Sequence, residues 1–208
     1  MPKSKTKPHP IHVLFVTPEV YPLIKTGGLG EVSGALPAAL AREEVDVRVL
    51  LPGYASVLAQ FSETKFIASL TGLAPFPNVR LLEATLPGGV PLMLVDCPSL
   101  YGRGGGPYQD VSGHAWTDNA LRFGLLSKVA ATLAADSSPL PWRPDVLHCN
   151  DWQTGLAPAY LHLGSGRRTR TVMAIHNLMF QGVFAPSAVA QVGLPAKSFS
   201  INGVEYYG

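Results

Sequence analysis

The sequence has few cysteines and no long apolar run. Cysteine occurs only at Cys97 and Cys149, each at the end of an apolar stretch. This placement fits buried, reduced thiols better than a disulfide framework or a zinc site. No stretch approaches the ~20 apolar residues of a transmembrane helix, so the sequence predicts no membrane segment.

Charge of either sign is also scarce. Charged residues make up 14% of the chain, and the formal net charge is +2. This excess is too small to indicate a surface for nucleic acid. Residues 1–10 contain lysines and prolines but lack the apolar core of a signal peptide. We therefore expect a flexible basic tail on a cytoplasmic protein.

Several well-known catalytic motifs are missing. The chain has no phosphate-binding P-loop, no Gly-x-Ser-x-Gly elbow, no His-Glu-x-x-His helix and no Cys-x-x-Cys pair. Gly28 and Gly30 open a dinucleotide-binding fingerprint, but its third position is Ser33, and Gly34 comes one residue late. A nucleotide-dependent oxidoreductase is therefore a weak interpretation.

The apolar residues predict an α/β fold with a Rossmann-like parallel sheet and helices on both faces. Residues 11–17 form a β-branched run typical of a strand that is covered on both faces. A helix is predicted from Leu29, with a kink at Pro37, and a second strand over residues 45–51. This βαβ unit implies parallel strands. The helix face expected to be buried comprises Val32, Ala35, Leu36, Ala39 and Leu40.

The remaining chain extends the pattern. Further strands are predicted over residues 65–70, 79–86, 90–97, 145–149 and 169–175. The turn at Pro87-Gly88-Gly89 makes a hairpin of the second and third of these. Helices are predicted over residues 116–135, capped by Thr117, and over residues 155–163. Residues 98–115 have the glycine-rich composition of a mobile lid, although a surface loop without a role has the same composition.

A glycine-rich turn precedes the first helix. Gly27 and Gly28 can take positive φ and let a ligand approach backbone N–H groups at a helix N-terminus, where anions bind. Lys25 adds a point charge suited to a phosphate or a sugar hydroxyl. The alternative is an ordinary helix-initiating turn with a solvent-exposed lysine.

Polar residues follow three predicted strands. The Lys25 turn follows the first strand, Asp151 follows the strand at 145–149, and His176 follows the strand at 169–175, which is expected to be buried. Ligands bind beyond the carboxyl ends of parallel strands, so this coincidence favours a site. Taken singly, Asp151 could be a helix N-cap, His176 a core histidine and Trp152 a packing residue.

An ordered set of motifs resembles the N-terminal part of bacterial glycogen synthases and plant starch synthases. The resemblance extends from Ile11 to the end of the chain. The motifs are Pro18-Glu19, Lys25-Thr26-Gly27-Gly28-Leu29-Gly30-Glu31-Val32, Gly34-Ala35-Leu36-Pro37, Tyr108, Thr117-Asp118-Asn119, Trp142-Arg143-Pro144-Asp145-Val146-Leu147-His148, Asn150-Asp151-Trp152, Gly155-Leu156-Ala157-Pro158-Ala159-Tyr160-Leu161, His176-Asn177-Leu178 and Phe180-Gln181-Gly182.

The resemblance implies a retaining glucosyltransferase of the GT-B type, in which two Rossmann-like domains face each other across a cleft. Such an enzyme transfers glucose from ADP-glucose to the non-reducing end of an α-1,4-glucan, without a metal ion or another cofactor. The implied donor contacts are Lys25, Gly27 and Gly28, and the implied glucose-pocket residues are Asp151, His176 and Asn177. His176 would lie near the 6-hydroxyl, with its backbone carbonyl toward the reacting centre.

The resemblance also implies that Tyr108 packs at the donor or acceptor side and that Glu31 contacts the acceptor. Family members usually carry Asp in place of Glu31 and His in place of Asn150, and they are more than twice as long. Residues 11–208 are therefore expected to form an incomplete N-terminal domain that lacks its C-terminal nucleotide-binding partner domain and is inactive alone. The alternative is a catalytically inert module that binds glucan.

Overall fold

The computed structural model of the chain describes residues 10–166 and 169–206. Of the predicted flexible tail, residues 1–9 lie outside the described part. The strands are β1 (His12–Val16), β2 (Asp46–Pro52), β3 (Lys65–Leu70), β4 (Val79–Thr85), β5 (Pro91–Asp96), β6 (Val146–Asn150) and β7 (Arg170–Ala174). The α-helices are α1 (Gly28–Arg42), α2 (Ala55–Leu58), α3 (Pro98–Tyr101), α4 (Asn119–Ala134), α5 (Leu156–Leu163) and α6 (Ala188–Gln191), and 3-10 turns occur at Trp152–Thr154 and Ala196–Ser198.

The seven described strands form one sheet in the order β3-β4-β5-β2-β1-β6-β7. The five strands from β5 to β7 run parallel, as expected, whereas β4 runs antiparallel to both of its neighbours. The sheet is thus mixed, because the predicted hairpin around Pro87 joins β4 to β5 and reverses the chain. The α/β, Rossmann-like prediction is confirmed for the parallel part.

Helices cover both faces of the sheet. The connection from β1 to β2 crosses the sheet in one direction, and the connection from β5 to β6 crosses it in the opposite direction. Because such crossovers are right-handed, α1 lies on one face and α4 on the other. Helix α1 contacts β2, while α4 packs on β1, β2 and α5. Because helices pack on both faces of the sheet, the side chains of β1 are buried on both faces.

Helix α1 buries a different face from the one predicted. It continues through Pro37 and buries Leu29, Ser33 and Pro37, while Val32 is exposed. The reason is the loop that precedes it: the N–H of Tyr21 donates to the carbonyl of Gly30. A Cβ on Gly34 would lie 2.7 Å from the carbonyl oxygen of Tyr21. Small residues at positions 30 and 34 therefore let the loop pack directly on the helix.

Helix α4 starts later than predicted, and Thr117 does not cap it. The N-cap is Asp118, which makes no side-chain capping bond. Its carboxylate instead binds the guanidinium of Arg103 at 2.9 and 3.0 Å. Thr117 does not cap the helix because it lies one residue before the N-cap position, and the Arg–Asp pair keeps the carboxylate of Asp118 from capping.

Strand β7 is more exposed than predicted. It lies at the edge of the described sheet, and its first four residues are exposed, including Val172 and Met173. The expectation that His176 follows a buried strand is therefore wrong in this structure. None of the described helices has both the length and the apolar character needed to cross a membrane.

Candidate functional site

The three predicted strand ends lie at one edge of the sheet. Strands β1, β6 and β7 are adjacent and parallel, so the residues that follow them emerge side by side. The loop with Lys25 follows β1, Asp151 follows β6, and His176 follows β7. The structure therefore places the segments that carry these residues at the same edge of the sheet.

Glu19 organises the loop after β1, a role that the sequence analysis did not assign. Its side chain is 2% exposed. The carboxylate accepts hydrogen bonds from the hydroxyl of Thr26 at 2.8 Å and from the backbone N–H groups of Thr26 and Gly27, the latter at 3.4 Å. It also accepts the phenol proton of Tyr108. The available signal was an acidic residue two positions after the predicted apolar strand over residues 11–17.

The glycines of the turn are not in the conformation predicted. Gly27 is extended, with φ of −153°, and Gly28 is the first residue of α1; neither has positive φ. A Cβ on either residue would meet no described atom within 4 Å. Because Glu19 occupies the N–H of Gly27, the N–H groups left for an anion are those of the first residues of α1. The glycines thus leave open space in front of a helix N-terminus.

Lys25 and Glu31 contact each other. The ammonium group of Lys25 donates to the carboxylate of Glu31, and both side chains are largely exposed. This hydrogen bond is the main reason that the pKa of Lys25 is raised above its ordinary value. Lys25 is predicted to bind the donor and Glu31 the acceptor. In the structure the two residues form an ion pair beside the turn.

Tyr108 makes hydrogen bonds through both its hydroxyl group and its backbone carbonyl. Its hydroxyl donates to Glu19, while its backbone carbonyl accepts from the side-chain amide of Asn119 at 2.9 Å and from the N–H of Trp116 at 3.0 Å. Burial and the charge of Glu19 raise the pKa of Tyr108 far above its ordinary value, so the phenol stays a proton donor.

The predicted lid is anchored at its centre. The buried guanidinium of Arg122 donates to the carbonyl of Leu100 at 3.0 Å and to that of Pro107 at 2.7 Å. It also donates to the side chain of Asn119 at 2.9 Å. Residues 109–115 are mostly exposed and receive none of these hydrogen bonds from Arg122.

Asp151 ties the end of β6 to the segment after β7. One carboxylate oxygen accepts from the backbone N–H groups of His176 at 2.7 Å and Asn177 at 3.4 Å. Its own N–H donates to the carbonyl of Ala174 at 2.9 Å. Asp151 occupies the N-cap position of the 3-10 turn Trp152–Thr154, but its side chain makes no capping bond there, so capping does not explain the carboxylate. Its φ of 54° and ψ of −179° are almost confined to glycine, and such strain clusters at functional sites.

His176 is exposed and is not a core histidine. Its Nε2 lies 3.0 Å from the side-chain oxygen of Asn150, whose amide nitrogen donates to the carbonyl of Val16 at 2.9 Å. Nearby His148 has a lowered pKa, mainly because it is partly buried and secondarily because of His176. No group of three or more potential metal ligands occurs within the described residues.

Two further residues near the site have packing or turn contacts. The ring of Trp152 packs on Phe123 and Phe184, with centroids 5.1 and 5.4 Å apart, which supports the packing interpretation. The side-chain oxygen of Asn177 accepts from the N–H of Met179 at 2.9 Å and shapes the next turn. A role for Asn177 in substrate binding stays a prediction.

A cavity of about 550 Å³ adjoins the site, but its walls are mostly apolar. Asp151 and Asn177 reach its rim, whereas Phe123, Phe184 and Leu194 contribute to the apolar lining. Lys25, Tyr108 and His176 do not line it. Lys25, Tyr108 and His176 therefore lie at the edge of the sheet outside this cavity.

Comparison with known proteins shows long, high-identity matches. The chain is 56% identical to a glycogen synthase of Nitrosospira multiformis and 53% identical to one of Nitrosomonas europaea, each over 212 residues. The matches cover 100% of this chain but only 42% and 43% of those relatives, so the chain spans less than half their length.

A solved structure shares the fold. The catalytic domain of Starch Synthase IV from Arabidopsis thaliana, bound to ADP and acarbose, matches 93% of this chain and 40% of that chain. The TM-score is 0.74 and the sequence identity is 25%. A family model described as the starch synthase catalytic domain matches residues 12–208. The chain therefore belongs to the starch synthase catalytic domain family.

Proposed function

We propose that this chain is the N-terminal, acceptor-side part of a glycogen synthase, a retaining glucosyltransferase of the GT-B type. The enzyme transfers glucose from ADP-glucose to the non-reducing end of an α-1,4-glucan. The observation that supports this most is the gathering of the Lys25 turn, Tyr108, Asp151 and His176 at one edge of the sheet. The relatives named glycogen synthase and the starch synthase solved with ADP and acarbose point to the same chemistry.

The donor lies against the start of α1 in this proposal. The space in front of Gly27 and Gly28 admits the sugar nucleotide, and the first N–H groups of α1 face its negative charge. Lys25 is a second source of positive charge, although in the free chain it is paired with Glu31. A donor phosphate can replace the carboxylate as the partner of Lys25 and release Glu31 toward the acceptor.

The glucose unit lies at the ends of β6 and β7. Asp151 holds the backbone of His176 and Asn177 in place, so the imidazole is presented from a fixed segment. A preorganised hydrogen bond of this kind stabilises charge that develops as the glucosyl group flattens toward an oxocarbenium-like state. Tyr108, fixed by Glu19, packs on the donor or acceptor side.

The rest of the enzyme completes the site. A C-terminal nucleotide-binding domain supplies most contacts to the diphosphate, and residues 11–208 are the incomplete first domain. The proposed reaction uses no metal ion and no cofactor beyond the donor substrate. The proposed location is the cytoplasm, where the buried free thiols of Cys97 and Cys149 stay reduced.

A chimera tests this proposal against the inert glucan-binding module. It joins this chain to the part of the Nitrosospira multiformis glycogen synthase that follows the matched region. We expect the chimera to incorporate radiolabelled glucose from ADP-glucose into glycogen and the 208-residue chain alone to incorporate none. A folded chimera that binds glycogen as tightly as the chain alone, yet transfers no glucose, would favour the inert module.

A further inference from the structure

The side chain of Asn150 is completely buried and uses both ends of its amide. One end lies 2.9 Å from the carbonyl oxygen of Val16, and the other lies 3.0 Å from Nε2 of His176. A carbonyl oxygen can only accept a hydrogen bond, so the NH2 group of Asn150 must face Val16. The amide oxygen therefore faces His176.

This orientation determines where His176 carries its proton. The amide oxygen of Asn150 has no proton to give, so Nε2 of His176 must be the donor. A neutral imidazole has one N–H group, which leaves Nδ1 with a lone pair. The described residues supply no hydrogen-bond partner for Nδ1, and the side chain is exposed.

We propose that Asn150 is a positioning residue that fixes His176 in the Nε2–H tautomer and makes Nδ1 an acceptor for a ligand hydroxyl group. This proposal rests on the proposed function in one respect, which is that the hydroxyl group belongs to the transferred glucose. The consequence is directional: the sugar hydroxyl donates and His176 accepts. A sugar with fluorine in place of that hydroxyl, which cannot donate, should bind poorly.

The neighbouring groups support this assignment. Asp151 holds the backbone N–H of His176 at 2.7 Å, so the ring is located by one contact on its backbone and one on its side chain. His148 also lies near His176 and has a lowered pKa, so it does not place a positive charge beside the ring near neutral pH. Asn150 is thus the group that selects the tautomer.

The 208-residue chain allows a direct test by NMR. Long-range proton–nitrogen correlations of histidine-labelled protein, recorded well above the ordinary histidine pKa of about 6.5, show which ring nitrogen carries the proton. His176→Gln identifies the signal of His176. His12 is an internal reference for a protonated Nδ1, because its Nδ1 lies 2.9 Å from the carbonyl of Arg143 and must donate, while its Nε2 lies 3.6 Å from the carboxylate of Asp46. We expect the proton on Nε2 in His176 and on Nδ1 in His12; a proton on Nδ1 in His176 would overturn the proposal.

Variants then test whether Asn150 is the cause. Asn150→Asp keeps an acceptor oxygen and should retain the proton on Nε2. Asn150→Leu keeps a similar volume without an acceptor and should give the mixture of an unconstrained histidine, in which a measurable share of the Nδ1–H form appears beside the predominant Nε2–H form. Ser127→Ala is the matched control, because it removes a buried bond to the carbonyl of Gln153 and does not touch His176. An unchanged Nε2–H form in a folded Asn150→Leu protein would refute the proposal.

The two proposals fail separately. The tautomer is read from the chain without substrate, so a pure Nε2–H form in the wild type that is lost in Asn150→Leu supports the role of Asn150 even if the chimera transfers no glucose. If Asn150→Leu does not fold, the wild type still decides the matter, because an exposed histidine without a fixed partner shows both tautomers, whereas the proposal requires the Nε2–H form alone. Loss of the Nε2–H form in folded Asn150→Asp would count against the proposal.

Discussion

The phenol of Tyr108 donates a hydrogen bond to the carboxylate of Glu19, which lies 89 residues earlier in the chain. This bond joins the glycine-rich turn after β1 to the centre of the loop between α3 and α4. Tyr108 also lies close enough to Asp151 for the two to interact electrostatically. The donor-side turn and the proposed glucose pocket are therefore connected through a single tyrosine.

Glu19→Gln should destabilise the chain. The carboxylate accepts four hydrogen bonds, whereas a glutamine amide has only one oxygen, so donors from Thr26, Gly27 or Tyr108 lose their acceptor. We expect a loss of about 1–3 kcal/mol in the free energy of unfolding, measured by urea denaturation. Tyr108→Phe removes only one of these bonds and should cost less. An unchanged free energy in Glu19→Gln would show that the carboxylate does not organise this loop.

Glycines of α1 and the turn before it should differ in their tolerance of alanine. Gly34→Ala places a Cβ 2.7 Å from the carbonyl oxygen of Tyr21 and should destabilise the chain by about 1–3 kcal/mol, as overpacking does. Gly28→Ala meets open space and should leave the free energy of unfolding unchanged. In the active chimera, however, Gly28→Ala should raise the KM for ADP-glucose. Equal losses of unfolding free energy in Gly34→Ala and Gly28→Ala would contradict the close contact between Gly34 and the carbonyl of Tyr21.

Glu44→Gly should stabilise the chain. The N–H of Glu44 binds the carbonyl of Ala41, and that of Val45 binds the carbonyl of Leu40, which is the Schellman arrangement at the end of α1. Glu44 has a φ of 60°, where glycine is favoured over other residues. We expect a gain of about 1 kcal/mol in thermal or urea unfolding. The control, Glu43→Gly, has negative φ and should give no gain.

The stability of the chain should depend on the protonation of His148. Burial lowers the pKa of His148 in the folded chain, so the unfolded chain binds more protons between that pKa and about 6.5. Stability therefore falls as the pH decreases through this window and levels off below the folded pKa. When the pH is lowered from ~8 to ~5, the free energy of unfolding should fall less in His148→Phe than in the wild type. Parallel pH profiles for the two proteins would contradict this assignment.

The parallel strands could be predicted from the sequence because burial on both faces leaves a continuous apolar run, as in β1. The polar strand ends were also visible, since Asp151 and His176 come at the ends of predicted strands, although the strand before His176 is exposed. The face buried by α1 could not be predicted, because contacts from the loop at Tyr21 onto Gly30 and Gly34 decide it. Helical periodicity alone does not include that loop.

Other features depend on contacts between distant parts of the chain. Glu19 and Tyr108 form no local pattern, so their bond was not visible in the sequence. The positive φ of Asp151 follows from its bonds to the segment after β7, which lies 25 residues later. Gly27 and Gly28 predicted a positive φ, whereas in the structure their lack of side chains leaves open space in front of α1.

The proposed contact between His176 and the transferred glucose can be measured through the kinetics of His176→Ala in the active chimera. We expect kcat and kcat/KM to fall together by a factor that corresponds to ~2–4 kcal/mol, because the lost bond strengthens in the transition state. The melting temperature should change little, and His162→Ala, at an exposed position in α5, should leave all three quantities unchanged. A His176→Ala chimera with normal kcat and a lowered melting temperature would refute this contact and show that His176 has a structural role.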